Sequence, residues 1–237
     1  SHCLALLRAM YNKAVDWNLY QGDNPVKNVK KPTVQNARNR FLSMKEVDLL
    51  LVSLKRNHHM KDKYIELEDP KLHDMALVSL HTGARAGEIF NLKGVDVDLQ
   101  NDLLVFRDTK NKETRYAPMT EAVKYVLKKR VPDDLNAYIF TDRDGKKIKE
   151  VSNAFQRVVD DIGLNKGVTD PRQRVVFHTL RHTFASWLAI QGTPIYTIAK
   201  LMGHKSISMS ERYAHLSPDH KKEAIKNLEA GLKKQGK

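Results

Sequence analysis

The chain has 237 residues, 41% of them hydrophobic, and its 41 Lys and Arg against 28 Asp and Glu leave a formal charge of +13. Such an excess points to a polyanionic partner, nucleic acid first, while a single cysteine, Cys3, excludes a disulfide framework or a cysteine-rich zinc site within one chain. No apolar run nears the roughly 18 residues of a membrane span, and no basic-then-apolar leader opens the chain, so the sequence reads as soluble and intracellular.

Leu4, Leu7, Tyr11, Ala14 and Val15 recur at helical spacing, so the chain starts inside an amphipathic helix over 1–20, read as the last helix of a truncated N-terminal domain. Residues 21–42 carry Pro25, Pro32, Lys27, Lys30, Lys31, Arg38 and Arg40 and read as a basic linker to a main domain over 43–237. Ser43 and Glu46 have capping-box spacing for a helix running to about 55. The polar stretch up to Pro70 reads as loop or a short helix. A helix over 72–80 stops at Thr82-Gly83, which leaves Arg85 just past a helix end and ahead of another helix over 86–92.

Between 95 and 118 the period changes. Val97, Leu99, Leu103, Val105 and Tyr116 lie in short extended runs broken by Asn101-Asp102 and by Lys110-Asn111-Lys112, the pattern of a small antiparallel sheet. A helix over 120–130, a short strand over 138–140, a turn over 142–145, a helix over 150–162 and a polar loop over 166–174 follow. The helix over 179–190 stops at Gly192, Thr193-Pro194 starts the next with proline in its first position, and Gly203 stops that one. A short polar helix spans 206–213, and Ser217-Pro218 opens a final amphipathic helix with Ala224, Ile225, Leu228 and Leu232 on one face. The fold class is mixed, predominantly α with a small antiparallel β-sheet, and there is no internal repeat.

The chemistry concentrates in 177–213. His178 and Arg181 stand three apart, so at a helix start both would face the same side, where free amides and the dipole favour an anion; the plainer reading is a capping histidine and a surface arginine. His204 follows the Gly203 stop, where a turn aims an imidazole outward, and Tyr213 lies nearby. A phenol with a pKa of about 10 attacks only if a base takes its proton and cations stabilise the product; otherwise Tyr213 is a half-buried tyrosine bonded to backbone. No glycine-rich phosphate loop is present, Asp142 to Gly145 lacks the later glutamate of a calcium loop, and the metal-compatible pair His178 and His182 lacks a zinc motif's glutamate. Asp96 and Asp98 read as turn and surface residues.

Four ordered segments together carry a family resemblance: His81-Thr82-Gly83-Ala84-Arg85-Ala86-Gly87-Glu88, His178-Thr179-Leu180-Arg181-His182, Leu201-Met202-Gly203-His204 and Tyr213. The chain resembles the tyrosine recombinases, or phage-type integrases, from about Ser43 to His220. The resemblance implies the DNA breaking-rejoining fold and a metal- and cofactor-independent reaction on double-stranded DNA, in which Tyr213 attacks phosphorus to leave a 3′-phosphotyrosine. Arg85 and Arg181 would grip the scissile phosphate, His178 would take the phenolic proton or position the phosphate, and His204 would donate to a phosphate oxygen. Lys110, with Lys112 as rival, would protonate the leaving 5′-oxygen, and Glu88 would orient its neighbours. Lys146, Lys147, Lys149, Arg172 and Arg174 would add phosphate contacts.

The implied protein is a mobile-element integrase of the bacterial cytoplasm, nucleoid-associated, monomeric alone and tetrameric on two DNA sites. A type IB topoisomerase-like activity and a non-catalytic DNA-binding regulator are the alternatives. Arg85, Arg181, His178, His204 and Lys110 are expected to converge on one basic pocket, with Tyr213 free to swing away when DNA is absent.

Overall fold

A computed structural model describes residues 2–30, 40–56, 70–107, 114–218 and 225, divided between two compact units, Ser1–Arg38 and Asn39–Lys237. The stretch 57–69, Lys110, Lys112 and, apart from Ile225, the residues from 219 on, where the sequence predicts a final helix, lie outside the described residues. Among the described residues no helix is long and apolar enough to cross a membrane.

In the first unit helix α1, His2–Asp16, stops four residues short of Tyr20 because Asn18 takes a left-handed conformation at φ 57. Residues 24–29 do not run free as a linker would. The Arg8 guanidinium donates to the carbonyls of Val26, Lys27 and Val29 at 3.0–3.3 Å, and Asn24 donates to the Arg8 carbonyl at 2.8 Å. The segment therefore folds back along the helix.

The second unit begins as its caps dictate. Helix α2, Met44–Leu54, has Ser43 accepting from the Glu46 amide while the Glu46 carboxylate accepts from the Ser43 amide at 2.8 Å. Helix α3, Lys71–Thr82, ends at Gly83 with φ 64, and the one-turn helix α4, Ala86–Phe90, follows at once. A 3-10 turn over Gly94–Asp96 leads to the antiparallel sheet β1 Val97–Asp98, β2 Leu103–Phe106 and β3 Arg115–Pro118, in the order β1-β2-β3. Phe106 stands opposite Arg115 and Leu104 opposite Ala117, all four facing inward, while Tyr116 faces out. Then come α5 Glu121–Lys128, α6 Asn153–Asp161, α7 Phe177–Ile190, α8 Ile195–Met202, α9 Ser208–Glu211 and a 3-10 turn Ala214–Leu216.

Four local expectations fail. Residues 138–140 form no strand. Tyr138 makes only an isolated bridge to Lys93, and the Ile139 amide is taken by the Leu92 carbonyl, so the run pairs with a loop. Helix α6 starts at Asn153 because the Ser152 hydroxyl caps the Ala154 amide. Pro194 is the N-cap of α8, at ψ 138, and not its first helical residue. Asp96 is buried, accepting from the Lys93 amide at 3.0 Å and Arg107 Nε at 2.6 Å.

Helix α7 is the central element and packs chiefly on α3. Thr183 Oγ1 accepts the Leu42 amide and Trp187 Nε1 donates to the Leu42 carbonyl, each at 3.0 Å, which fixes the chain entering α2. The main core gathers Leu50, Val78, Leu80, Leu104, Leu127, Val159 and Leu180, all fully buried; each such side chain contributes about 1.5–3 kcal/mol on burial. A second cluster joins Ala185, Ala189, Ile198, Met202 and Tyr213. Small Ala185 and Ala189, one turn apart on α7, leave room there for α8 and for the tyrosine ring.

Candidate active site

The site is built where two helices end. Helices α3 and α8 both stop on left-handed glycines, Gly83 at φ 64 and Gly203 at φ 61. A helix C-terminus leaves carbonyls unpaired and carries partial negative charge, and two buried arginines bridge these ends. Arg181, 2% exposed, donates through Nη1 to the Gly83 carbonyl and through Nη2 to the Met202 carbonyl at 2.5 Å. Arg115 donates through Nη1 to the carbonyls of Thr82 at 3.2 Å and Leu201 at 2.7 Å, and stacks over the Phe106 ring at 4.4 Å. The carbonyls make it tolerable to bury these two cations. Burial and the neighbouring Arg85 push the Arg181 pKa down to about 9, with Glu88 resisting, so the group stays charged at neutral pH.

Glu88 supplies the counter-charge. One carboxylate oxygen accepts Arg85 Nη1 at 2.7 Å, and the other accepts Arg115 Nη2 at 2.7 Å and the Arg85 amide at 3.0 Å. Burial alone would raise its pKa, but Arg115 and the Arg85 amide hold it below the ordinary carboxylate value. Arg85 is thereby pinned at the start of α4 with its side chain partly exposed.

The remaining groups come from α7 to α9. His204, on the turn after Gly203, is held down at about pKa 4 by burial first and then by Arg181, Arg85, Arg212 and Arg115, so it is neutral at pH 7. Its Nδ1 lies 2.7 Å from the hydroxyl of fully buried Ser210. Tyr213 is 5% exposed, and its hydroxyl lies 2.7 Å from Nδ1 of His182. Burial raises its pKa, against the pull of Arg212 and Arg181. The tyrosine is thus a neutral phenol tucked into the domain and not swung outward. The His178 ring meets the His182 ring edge-on at 4.8 Å, and His178 also lines an open groove of about 330 Å³ with Ala84 and Ala86, the residues flanking Arg85.

Arg85, Arg181, His204 and Tyr213 therefore share one electrostatic neighbourhood, with Glu88 inside it and His178 at its edge. Lys110 lies between β2 and β3, outside the described residues. Arg181 is no surface arginine, and the Tyr213 hydroxyl bonds to a histidine, not to backbone. Two residues of the site carried no functional reading in the sequence, Arg115 and Ser210, and His182 was weighed there only as a metal-compatible partner of His178 and as part of a motif, not as the partner of Tyr213. Only Arg115 had a usable signal, a charge placed inward two residues from Ala117 on a short strand. Among the described residues no group of three or more His, Cys, Asp or Glu is placed to hold a metal ion. Of the surface cations, Lys146, Lys147, Lys149, Arg172 and Arg174 are exposed, with Arg172 paired to Asp170 at 2.8 Å.

The model of the phage integrase family matches residues 40–220. The chain belongs to that family. The integrase of Escherichia phage 186 is 28% identical over 223 residues, which is 94% of this chain and 58% of that protein. The chain thus spans a little under three fifths of that relative. The tyrosine recombinase XerA of Pyrococcus furiosus is 30% identical over 65% of this chain. Among solved structures, the catalytic domain of bacteriophage HP1 integrase superposes with a TM-score of 0.58 at 25% identity, covering 79% of this chain and 94% of that one. The Tn1549 transposon integrase, in complex with a circular intermediate DNA, gives a TM-score of 0.64 at 21% identity over 94% of this chain and 77% of that one, a likeness of fold.

Proposed function

We propose that the chain is the catalytic part of a site-specific DNA recombinase that cuts and rejoins strands through a phosphotyrosine. The observation that carries this reading is the joining of Arg85, Arg181, His204 and Tyr213 in one basic neighbourhood, on the framework of a phage integrase family member. Arg85 and Arg181 offer planar guanidinium donors to the non-bridging oxygens as charge grows in the pentavalent transition state. His204, being neutral, acts as a hydrogen-bond donor and not as a second cation.

In the forward step the Tyr213 oxygen bonds to phosphorus and the bond from phosphorus to the 5′-oxygen breaks. The phenolic proton passes to an imidazole. His178 is the proposed acceptor, and His182 already touches the hydroxyl in this state. The leaving 5′-oxygen takes a proton from Lys110, with Lys112 the alternative. A 5′-hydroxyl from another strand reverses the step, so the bond energy is conserved and neither nucleotide nor metal is consumed. Exposed Lys146, Lys147 and Lys149 contribute phosphate contacts, and the working assembly is a tetramer on two DNA sites formed from monomers, in the bacterial cytoplasm.

A nicked suicide duplex tests the chemistry. The chain should form a covalent adduct in the presence of a chelator, and Tyr213→Phe should form none. Adduct formation by Tyr213→Phe, or a strict need for magnesium, would contradict the mechanism. Scattering from the DNA complex checks the tetramer.

A further inference from the structure

Ser210 touches both ends of the chemistry. Its Oγ lies 2.7 Å from His204 Nδ1, and its carbonyl accepts the Tyr213 amide at 2.9 Å. The side chain is fully buried on α9, whereas His204 sits on the turn after α8. One hydrogen bond therefore connects the turn holding the imidazole to the turn holding the nucleophile.

The chemistry of a neutral imidazole makes that bond consequential. Such a ring has a single N–H, and the partner of one nitrogen decides which nitrogen carries it. Arg181, Arg85, Arg212 and Arg115 surround His204, and with burial they keep it neutral at pH 7. A neutral His204 can donate to a phosphate oxygen through Nε2 only if Nδ1 is the acceptor. A serine hydroxyl is able to donate to Nδ1. If instead Nδ1–H donated to Ser210, Nε2 would turn a lone pair toward the phosphate and repel it.

We infer that Ser210 is a positioning residue: by donating its hydroxyl proton to His204 Nδ1 it fixes the Nε2–H tautomer and ties the imidazole to the turn that carries Tyr213. The inference rests on the proposed role of His204 as a phosphate donor. It assigns no proton transfer to the serine, which acts only through the ring it orients.

Long-range proton–nitrogen correlation spectra of the whole chain at pH 7 read the tautomer, and single-turnover cleavage of the nicked suicide duplex reads its consequence. The wild type should show His204 as Nε2–H. Ser210→Ala should mix or invert the tautomer and slow cleavage about tenfold, the effect of one lost hydrogen bond. Ser210→Thr, which keeps the hydroxyl, should retain both the tautomer and most of the rate. A wild-type Nδ1–H tautomer overturns the inference, as does a Ser210→Ala protein with unchanged tautomer, whatever its rate. Should Ser210→Ala fail to fold, the wild-type tautomer decides alone. A wild type with the Nε2–H tautomer but no adduct on Tyr213 would remove the recombinase reading and leave the positioning of the ring standing.

Discussion

Arg115→Met isolates the buried cation that bridges the ends of α3 and α8. Methionine keeps most of the stem volume, and the Nε that it removes has no hydrogen-bond partner, so the loss falls on Nη1 and Nη2. Those nitrogens serve the carbonyls of Thr82 and Leu201 and the Glu88 carboxylate, in a pair whose side chains are 5% and 4% exposed. Removing one partner of a buried ion pair costs about 3–5 kcal/mol, and because Glu88 keeps Arg85 at 2.7 Å the low end applies, about 3 kcal/mol. For a domain of this size each kcal/mol moves the melting temperature by about 2–4 °C, so calorimetry should show a fall of about 6–12 °C. Pairing the change with Glu88→Gln in a double-mutant cycle should reveal strong coupling. The acid limb supplies a second reading. Glu88 has a depressed folded pKa, so it contributes stability above the unfolded carboxylate pKa that is lost as pH falls through its folded value. Arg115→Met should flatten that limb. A loss below about 1 kcal/mol, or strict additivity with Glu88→Gln, would refute the bridging role.

Further outcomes follow from the same geometry. Gly203→Ala should destabilise by about 1–2 kcal/mol from its left-handed backbone alone, and by more because the new Cβ would stand 2.7 Å from Arg115 Cδ; denaturant melts and the cleavage assay should report a joint loss. Tyr213→Phe should remove the adduct while costing only about 1 kcal/mol of stability, since it gives up one hydrogen bond to His182. His204, held near 4 in the folded state, should not titrate by NMR between pH 7.5 and 5.5; because the unfolded chain takes that proton first, stability should decline as pH falls from about 6.5 through 4. Ser43→Ala should cost about 1 kcal/mol through the lost cap of α2, with cleavage chemistry unchanged at saturating DNA.

Features set by neighbours in sequence were legible before any coordinates. Ser43 with Glu46, Gly83 and Gly203 act locally, and each marks the helix boundary that its chemistry implies. Arg85, Arg181, His204 and Tyr213 were legible as an ordered set of motifs. What escaped depends on partners far along the chain. Nothing near Tyr213 announces that its hydroxyl meets His182, 31 positions away, nor does anything near Arg115 announce the helix ends at Thr82 and Leu201. The run 138–140 has the composition of a strand, yet pairing is decided by the partner it meets, here the loop after α4. Asp96 looked like a surface acid because its buried contacts, the Lys93 amide and Arg107, are made across a turn and from the far end of β2.

The two helix ends joined by Arg115 and Arg181 have a further consequence. The joint holds mutually repelling cations, since Arg85 stands close enough to Arg115 and Arg181 to disfavour their charged forms, and the buried Glu88 carboxylate offsets them. An anion arriving there would relieve that repulsion and should tighten the junction that the two arginines make between the ends of α3 and α8. Any ligand that favours the native state raises its stability by mass action, so on the proposed function a DNA phosphate bound there would act as a keystone, holding together the two helix ends that form the walls of its own site.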